Sequence, residues 1–197
     1  PTLRDAVSYM RVDMLADTNG WQPDQLNEIF RLNLESLMAG GPGEISLVDP
    51  SRHPLEKIAF ILADLENRHA QKKEAEAALE ARLERCRQLH QHFKEAEDRK
   101  LIQDDLEKRL AGFKAFTWWA EGMAQLAEFV RSGSEPDSLN RARETAIRGR
   151  SAFPDSPGGK HCLAIEKQIE APDYVFGGMQ NDNPEKKSLL VTHKNMA

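Results

Sequence analysis

Residues 73–93, KEAEAALEARLERCRQLHQHF, decide the fold. Leu79, Leu83, Cys86, His90 and Phe93 step by four, three, four and three, so they share one face of a helix. Two heptads of a coiled coil would show the same steps. The pattern stops at Phe93, which favours a packed helical hairpin. Upstream, Pro54 suits the first turn of a partner helix. Leu55, Ile58, Ala59, Leu62 and Leu65 form its apolar face, and it runs to about Gln71. Downstream, a charged helix from Glu95 to Leu110 buries Leu101, Ile102, Leu106 and Leu110. Gly112 and the knot Phe113, Phe116, Trp118 and Trp119 mark a corner. A further helix runs to about Arg131 with Trp119, Met123, Leu126 and Val130 inward.

The texture persists in both directions. Thr2 to Ala16 is helical, with Leu3, Ala6, Val7, Met10 and Met14 at helical spacing. Thr18-Asn19-Gly20 is turn chemistry. Pro23-Asp24 opens another helix with Leu26, Ile29, Phe30, Leu34 and Leu37 on one face. Gly40-Gly41-Pro42-Gly43 stops it, and a loop continues to His53. After the loop 132–137, with Asp137 or Ser138 as N-cap, a helix places Leu139, Ala142, Ala146, Ile147 and Phe153 inward. Pro154-Asp155-Ser156-Pro157 separates it from a last helix burying Cys162, Ile165 and Ile169, which ends before Pro172. Tyr174-Val-Phe, Asn181-Asp-Asn-Pro and Ser188 to His193 then read as strand, turn, strand. The expected fold is mainly α over residues 1–171, as antiparallel helical hairpins in a tetratricopeptide-like array. Residues 172–197 would be a β-hairpin or the beginning of a β-sandwich. The unit Thr117 to Pro154 has the length of a tetratricopeptide repeat, and Ala120, Ala127, Ala142 and Ala146 let its two helices approach. No second clean copy is found.

The chain has 197 residues, 40% of them apolar and 30% charged. That is room for one helical domain, or one and a half, and too apolar for disorder. A net charge of −5 argues against a nucleic-acid surface. No run of eighteen apolar residues is present. Two cysteines, Cys86 and Cys162, are too few for a disulfide framework. They form one bridge or stay buried as small hydrophobes.

The search for chemistry assigns no catalytic residue, metal ligand or cofactor. Cys86 and His90 share a face at metal-ligand spacing, but both sit in the apolar stripe, and a structural zinc needs two more ligands. His90 and His92 point to different faces. Cys162 needs a base to act as a nucleophile, and His161 beside it points about a quarter-turn away. Ser46, Ser151 and Ser156 lie in no nucleophile elbow. Gly40-Gly-Pro-Gly lacks the Lys-Ser/Thr of a phosphate loop. Asp104-Asp105 and the group Glu95, Glu97 and Asp98 alternate with Arg99-Lys100 and Lys108-Arg109, as on a solvated helix face. Trp118 and Trp119 are the candidate interaction patch, against the alternative of a core corner.

From Phe153 onward the sequence resembles the start of bacterial alpha-2-macroglobulin-like proteins. The resemblance rests on Phe153-Pro154-Asp155-Ser156-Pro157-Gly158-Gly159, on a helix with Cys162, Ile165 and Ile169, and on Val191-Thr192-His193-Lys194-Asn195. It covers about a quarter of the chain; upstream only the texture is similar. It implies a helical region preceding a first macroglobulin-type β-sandwich, in a large cell-envelope or periplasmic parent similar to protease traps. Many members carry a thioester in a Cys-Gly-Glu-Gln type motif. Cys162-Leu-Ala-Ile-Glu-Lys-Gln has the wrong spacing, so no functional residue of the family is carried over. The resemblance implies a non-enzymatic structural or interaction role, with later domains of the parent as partners. Phe-Pro-Asp-Ser-Pro also resembles a boundary phrase of bacterial tetratricopeptide proteins. That alternative implies a free-standing adaptor binding another protein or peptide. Strands without the rest of their sheet point to a dimer through the C-terminal residues.

Overall fold

The computed structural model describes residues 2–133 and 135–172 in full, and the backbone alone of 173–180 and 188–194. The described residues are mainly helical. The centre is a hairpin of α4 (Pro54–Gln71) and α5 (Ala75–His92). Proline at the first position and a reciprocal cap between His53 and Glu56 start α4. Lys73 takes a left-handed turn (φ 62°), and the Glu74 N–H closes back onto the His69 carbonyl at 2.9 Å. The inward faces of both helices are buried as their spacing predicts. Next come α6 (Ala96–Leu110), α7 (Trp119–Arg131), α8 (Ser138–Ala152) and α9 (Pro157–Glu170). α7 packs against α6, α8 and α9, and α8 also packs on α9. The phrase at 153–159 has a local cause. Ser156 caps α9 through the Gly159 N–H, and Pro157 is its first residue. A Cβ at Gly158 would lie 2.2 Å from the Glu121 nitrogen, so only glycine lets α9 sit this close to α7.

Before the hairpin the structure departs from the expected pattern. α1 (Leu3–Ala16) packs on α4, but turned about 200° from its most apolar stripe. Leu3 is 83% exposed and Met14 76%, with Met10 and Val7 also outside. Asp5 and Val12 face inward instead, with Tyr9, Leu15 and Ala16 packed against the core. The cause is a long-range charge contact. Asp5 Oδ1 lies 3.0 Å from Arg68 Nη2 and 3.4 Å from His69 Nε2, both on α4. Both faces of α1 offer apolar area, so the hydrophobic difference between them is small and the buried carboxylate chooses. Hydrogen bonding to Thr2 foremost, with help from His69 and Arg68, holds that carboxyl below its usual range.

The single helix expected after Pro23 is broken. It divides into α2 (Pro23–Asn27), a 3₁₀ turn at Ile29–Arg31 and α3 (Leu34–Ala39). The Asn33 carboxamide accepts the Ser36 N–H at 2.8 Å and begins a new helix there. Leu26 and Phe30 are consequently exposed, while Leu34 and Leu37 stay buried. Gly40, at φ 116°, ends α3 as expected. Leu101 and Leu139 are also exposed, contrary to their assignment to inward faces. Beyond α9 the backbone of Asp173–Gln180 and Ser188–Lys194 pairs antiparallel, Asp173 opposite Lys194, with an irregularity between Phe176 and Met179. The expected turn at 181–184 lies outside the described residues.

The feature least visible in sequence is a buried charge network. Arg82 on α5 donates to Glu66 Oε1 on α4 at 3.0 Å and to the Met38 carbonyl on α3 at 2.8 Å. It also reaches Asp105 on α6 at 3.4 Å. Arg85, 1% exposed, pairs with the other Glu66 oxygen. Glu66 therefore compensates two buried guanidinium groups. We expect Glu66→Ala to cost about 3–5 kcal/mol in urea unfolding, because it leaves two buried charges short of a partner. Asp64→Ala, which removes only the exposed pair with Arg4, should cost under about 1 kcal/mol. Equal losses for the two variants would contradict the assignment.

Candidate functional site: a charged groove over α7

The residues singled out by sequence do not assemble into a reactive centre. Cys86 and His90 lie side by side on α5, both buried. The His90 ring stacks on Phe129, centroids 3.9 Å apart and nearly parallel. Burial first, then the cations Arg99 and Lys94, push its pKa down to about 4. His92 points elsewhere and stacks on Trp21 at 4.8 Å. Burial raises the Cys86 thiol to about 12 and the Cys162 thiol to about 11. Both thiols are unbridged. Cys162 Sγ donates to the Ala120 carbonyl at 3.4 Å, while His161 turns to Glu121 at 3.1 Å. The thiol and the neighbouring ring thus serve two separate α7 contacts. Among the described residues no group of three or more His, Cys, Asp or Glu is placed to hold a metal ion.

The tryptophan pair divides. Trp119, the first residue of α7, is buried in the core. Trp118 is half-buried, and its backbone N–H donates to Glu76 Oε1 at 3.2 Å. Its ring edges a hollow of about 90 Å³ against Pro157 and Gly158. One indole of the pair is therefore available at the surface and the other is not.

The concave surface lies elsewhere, and helix packing builds it. α6 and α8 each pack on α7 without a comparable interface to one another. They stand as two walls with α7 as the floor. Leu126 and Val130 form that floor. The Gln103 carboxamide closes it from the α6 side by donating to the Phe129 carbonyl at 3.1 Å. Two hollows, of about 230 Å³ and 150 Å³, run along the groove and share Gln103, Val130 and Arg141.

The charge along this groove is uneven. At the end nearest the α7–α8 loop, Lys94, Arg99, Lys100 and Arg141 line the hollow with a single carboxylate among the described residues, Glu135. At the other end Asp104, Glu107 and Glu144 accompany Arg141 and Arg148. Lys94 and Arg99 have no carboxylate partner among the described residues; Arg99 donates to the Phe93 carbonyl at 3.3 Å. A chain of net charge −5 thus gathers cations at one end of its groove. Sequence reading saw Arg99-Lys100 as part of a solvated face. The signal it lacked was that residues 94–103 and 132–141 meet across α7.

The chain matches no protein-family model, no curated protein and no solved structure. Among the described residues no helix is long and apolar enough to cross a membrane.

The buried imidazoles generate a pH prediction. His53, His90 and His92 are all held below the usual histidine value, each chiefly by burial. The unfolded chain takes up these protons near pH 6.5, and folded His90 does so only near 4. Protons in that window therefore favour the unfolded state, and stability falls as the pH drops from about 6.5 towards 4. Thermal unfolding should show a lower Tm at pH 5 than at pH 7. His90→Phe, which keeps the stack on Phe129, should shrink the difference; an unchanged difference would contradict the assignment to His90.

Proposed function

We propose that this chain is a non-enzymatic interaction module that holds an extended segment of a partner protein in the groove between α6 and α8. The observation that carries this reading is the groove itself: two walls on one floor, lined along its length by polar and charged groups, among which the Lys100–Asp104 and Arg141–Glu135 pairs join exposed side chains. Helical-hairpin scaffolds offer such concave surfaces to extended chains. The chemistry of the thiols points the same way. A nucleophile needs a low-pKa thiolate beside a base, and burial holds both cysteines protonated.

The parent is proposed to be an alpha-2-macroglobulin-like protein of the cell envelope or periplasm, with this module leading into its first β-sandwich. The resemblance from Phe153 onward supports this. So does α1, which leaves Leu3, Val7, Met10 and Met14 outside as an apolar stripe that later domains of the parent would cover. The parent's trapping of proteases is part of the same proposal. The tetratricopeptide-like adaptor is the second reading, and the groove favours it equally, because the two differ in whether the bound segment belongs to the parent or to another protein. Dimerisation through the C-terminal strands is proposed because, among the described residues, each strand pairs only with the other.

The groove is tested by selecting peptides from a random displayed library on the purified chain. Selected peptides should bind the native protein and lose at least about tenfold in affinity to Gln103→Trp, which fills the floor. Failure to select any peptide, or equal binding by the filled variant, would sink the reading. The parent is tested by methionine oxidation. Met10 and Met14 should oxidise readily in the isolated chain and be protected in a polypeptide extended past residue 197; equal oxidation in both would count against a covering domain.

A further inference from the structure

The proposed groove says that a segment binds; its charges say which kind. The basic end carries Lys94, Arg99, Lys100 and Arg141 within one hollow of about 230 Å³. These cations are only lightly compensated. Lys100 reaches Asp104 at 3.5 Å, with both side chains exposed. Arg141 holds Glu135 Oε2 at 2.5 Å, again between exposed groups. Lys94 and Arg99 lack a carboxylate among the described residues. Exposed pairs of this kind contribute at most about 1 kcal/mol, so an incoming carboxylate can displace them.

Glu135 stands out among these groups. Among the described residues it is the one acidic side chain that lines this hollow, and it sits on Arg141 from the α7–α8 loop. Its position is where a ligand carboxylate would lie: at the mouth of the groove, on the guanidinium that both hollows share. A chain with an excess of acidic residues has many carboxylates, yet among the described residues only Glu135 lines this hollow, with Asp104 reaching Lys100 from the neighbouring one.

We infer that the α7–α8 end of the groove is a seat for an acidic segment of a partner protein, and that Glu135 occupies one of its cations as an internal placeholder. This rests on the groove reading above. The seat gives direction as well as affinity. The acidic part of the segment lies against Lys94, Lys100 and Arg141, and its remainder runs towards Glu107 and Glu144, where a basic residue is favoured. Binding displaces Glu135 from Arg141, so the loop that carries it responds to occupancy. Charge complementarity of this sort raises the association rate and selects the partner more than it adds raw affinity.

Three fluorescent probes test the assignment by anisotropy at low salt. The first is a peptide of alternating Glu and Gly, the second the same peptide with Gln for Glu, and the third an oligothymidine of equal charge. The native chain should bind the Glu peptide at least about tenfold more tightly than the Gln peptide, and lose this preference as salt screens it. Lys94→Glu with Lys100→Glu, both at exposed positions, should remove at least about tenfold of the affinity while Tm stays unchanged. Glu135→Gln should strengthen binding of the Glu peptide by about threefold, a gain that misfolding does not produce. No preference for Glu over Gln, or no gain in Glu135→Gln, would overturn the seat. Tighter binding of the oligothymidine would overturn the assignment to an acidic protein segment. If both peptides bind equally and Gln103→Trp abolishes both, the groove stands and the acidic seat falls. If neither these nor library-selected peptides bind, both fall.

Discussion

The Arg82 guanidinium is the point on which this structure turns. It lies in the interior, and its donors go to three helices at once: the end of α3 through the Met38 carbonyl, α4 through Glu66, and α6 through Asp105. A buried charge so placed does not by itself add much stability, since desolvation offsets most of the attraction. What it adds is specificity of position. Leucine and alanine faces permit neighbouring helices to slide or rotate at small cost, whereas a guanidinium with three partners is satisfied in one arrangement. Arg85, sharing Glu66, repeats the constraint one turn further along α5.

The constraint reaches the groove. Asp105 holds α6 to α5 through Arg82, while Ile102, Leu106 and Leu110 face the core. The other wall is fixed differently. α8 approaches α7 through Ala142, Ala146 and Gly149, where a Cβ on Gly149 would lie 2.8 Å from Met123 Cβ on α7. One wall is thus set by charge and the other by close packing of small residues, with α7 as their common floor. The polar groups inside keep the shape, and those at the rim form exposed pairs such as Lys100–Asp104 and Arg141–Glu135. Such a division suits recognition: a rigid frame loses little entropy when a flexible segment binds.

Much of the fold was legible. α4, α5, α7 and α9 have long periodic faces and local punctuation, Pro54 and Ser156 at their starts and Gly40 just before the loop to α4, so local and tertiary preferences agree. The misreadings share a cause, which is that a distant partner decided the outcome. The apolar stripe of α1 promised an inward face, but Asp5 is drawn to Arg68 and His69, more than sixty positions away. The helix expected from Pro23 was interrupted by the Asn33 side chain, a local signal outweighed by the continuous apolar spacing around it. Arg82 and Arg85 carried no signal in the sequence, because nothing in their own segment shows that Glu66 and Asp105 will pair with them. The groove was invisible for the same reason. It belongs to no motif and exists only where α6 and α8 share α7. Of the tryptophan pair, helical spacing turned Trp119 inward while the candidate patch offered both indoles to the surface; burial removes Trp119 from that patch and leaves Trp118 half-buried at its edge.

The account depends on the buried charges holding α6 as a wall of the groove. Electron–electron distance measurement between spin labels on Lys108→Cys in α6 and Ser151→Cys in α8 tests this directly, with the two native thiols buried and protonated. The native chain should give one narrow distance distribution, and Arg82→Met should broaden or shift it as α6 loses its anchor. An equally narrow distribution at the same distance in Arg82→Met would show that the wall stands without the network.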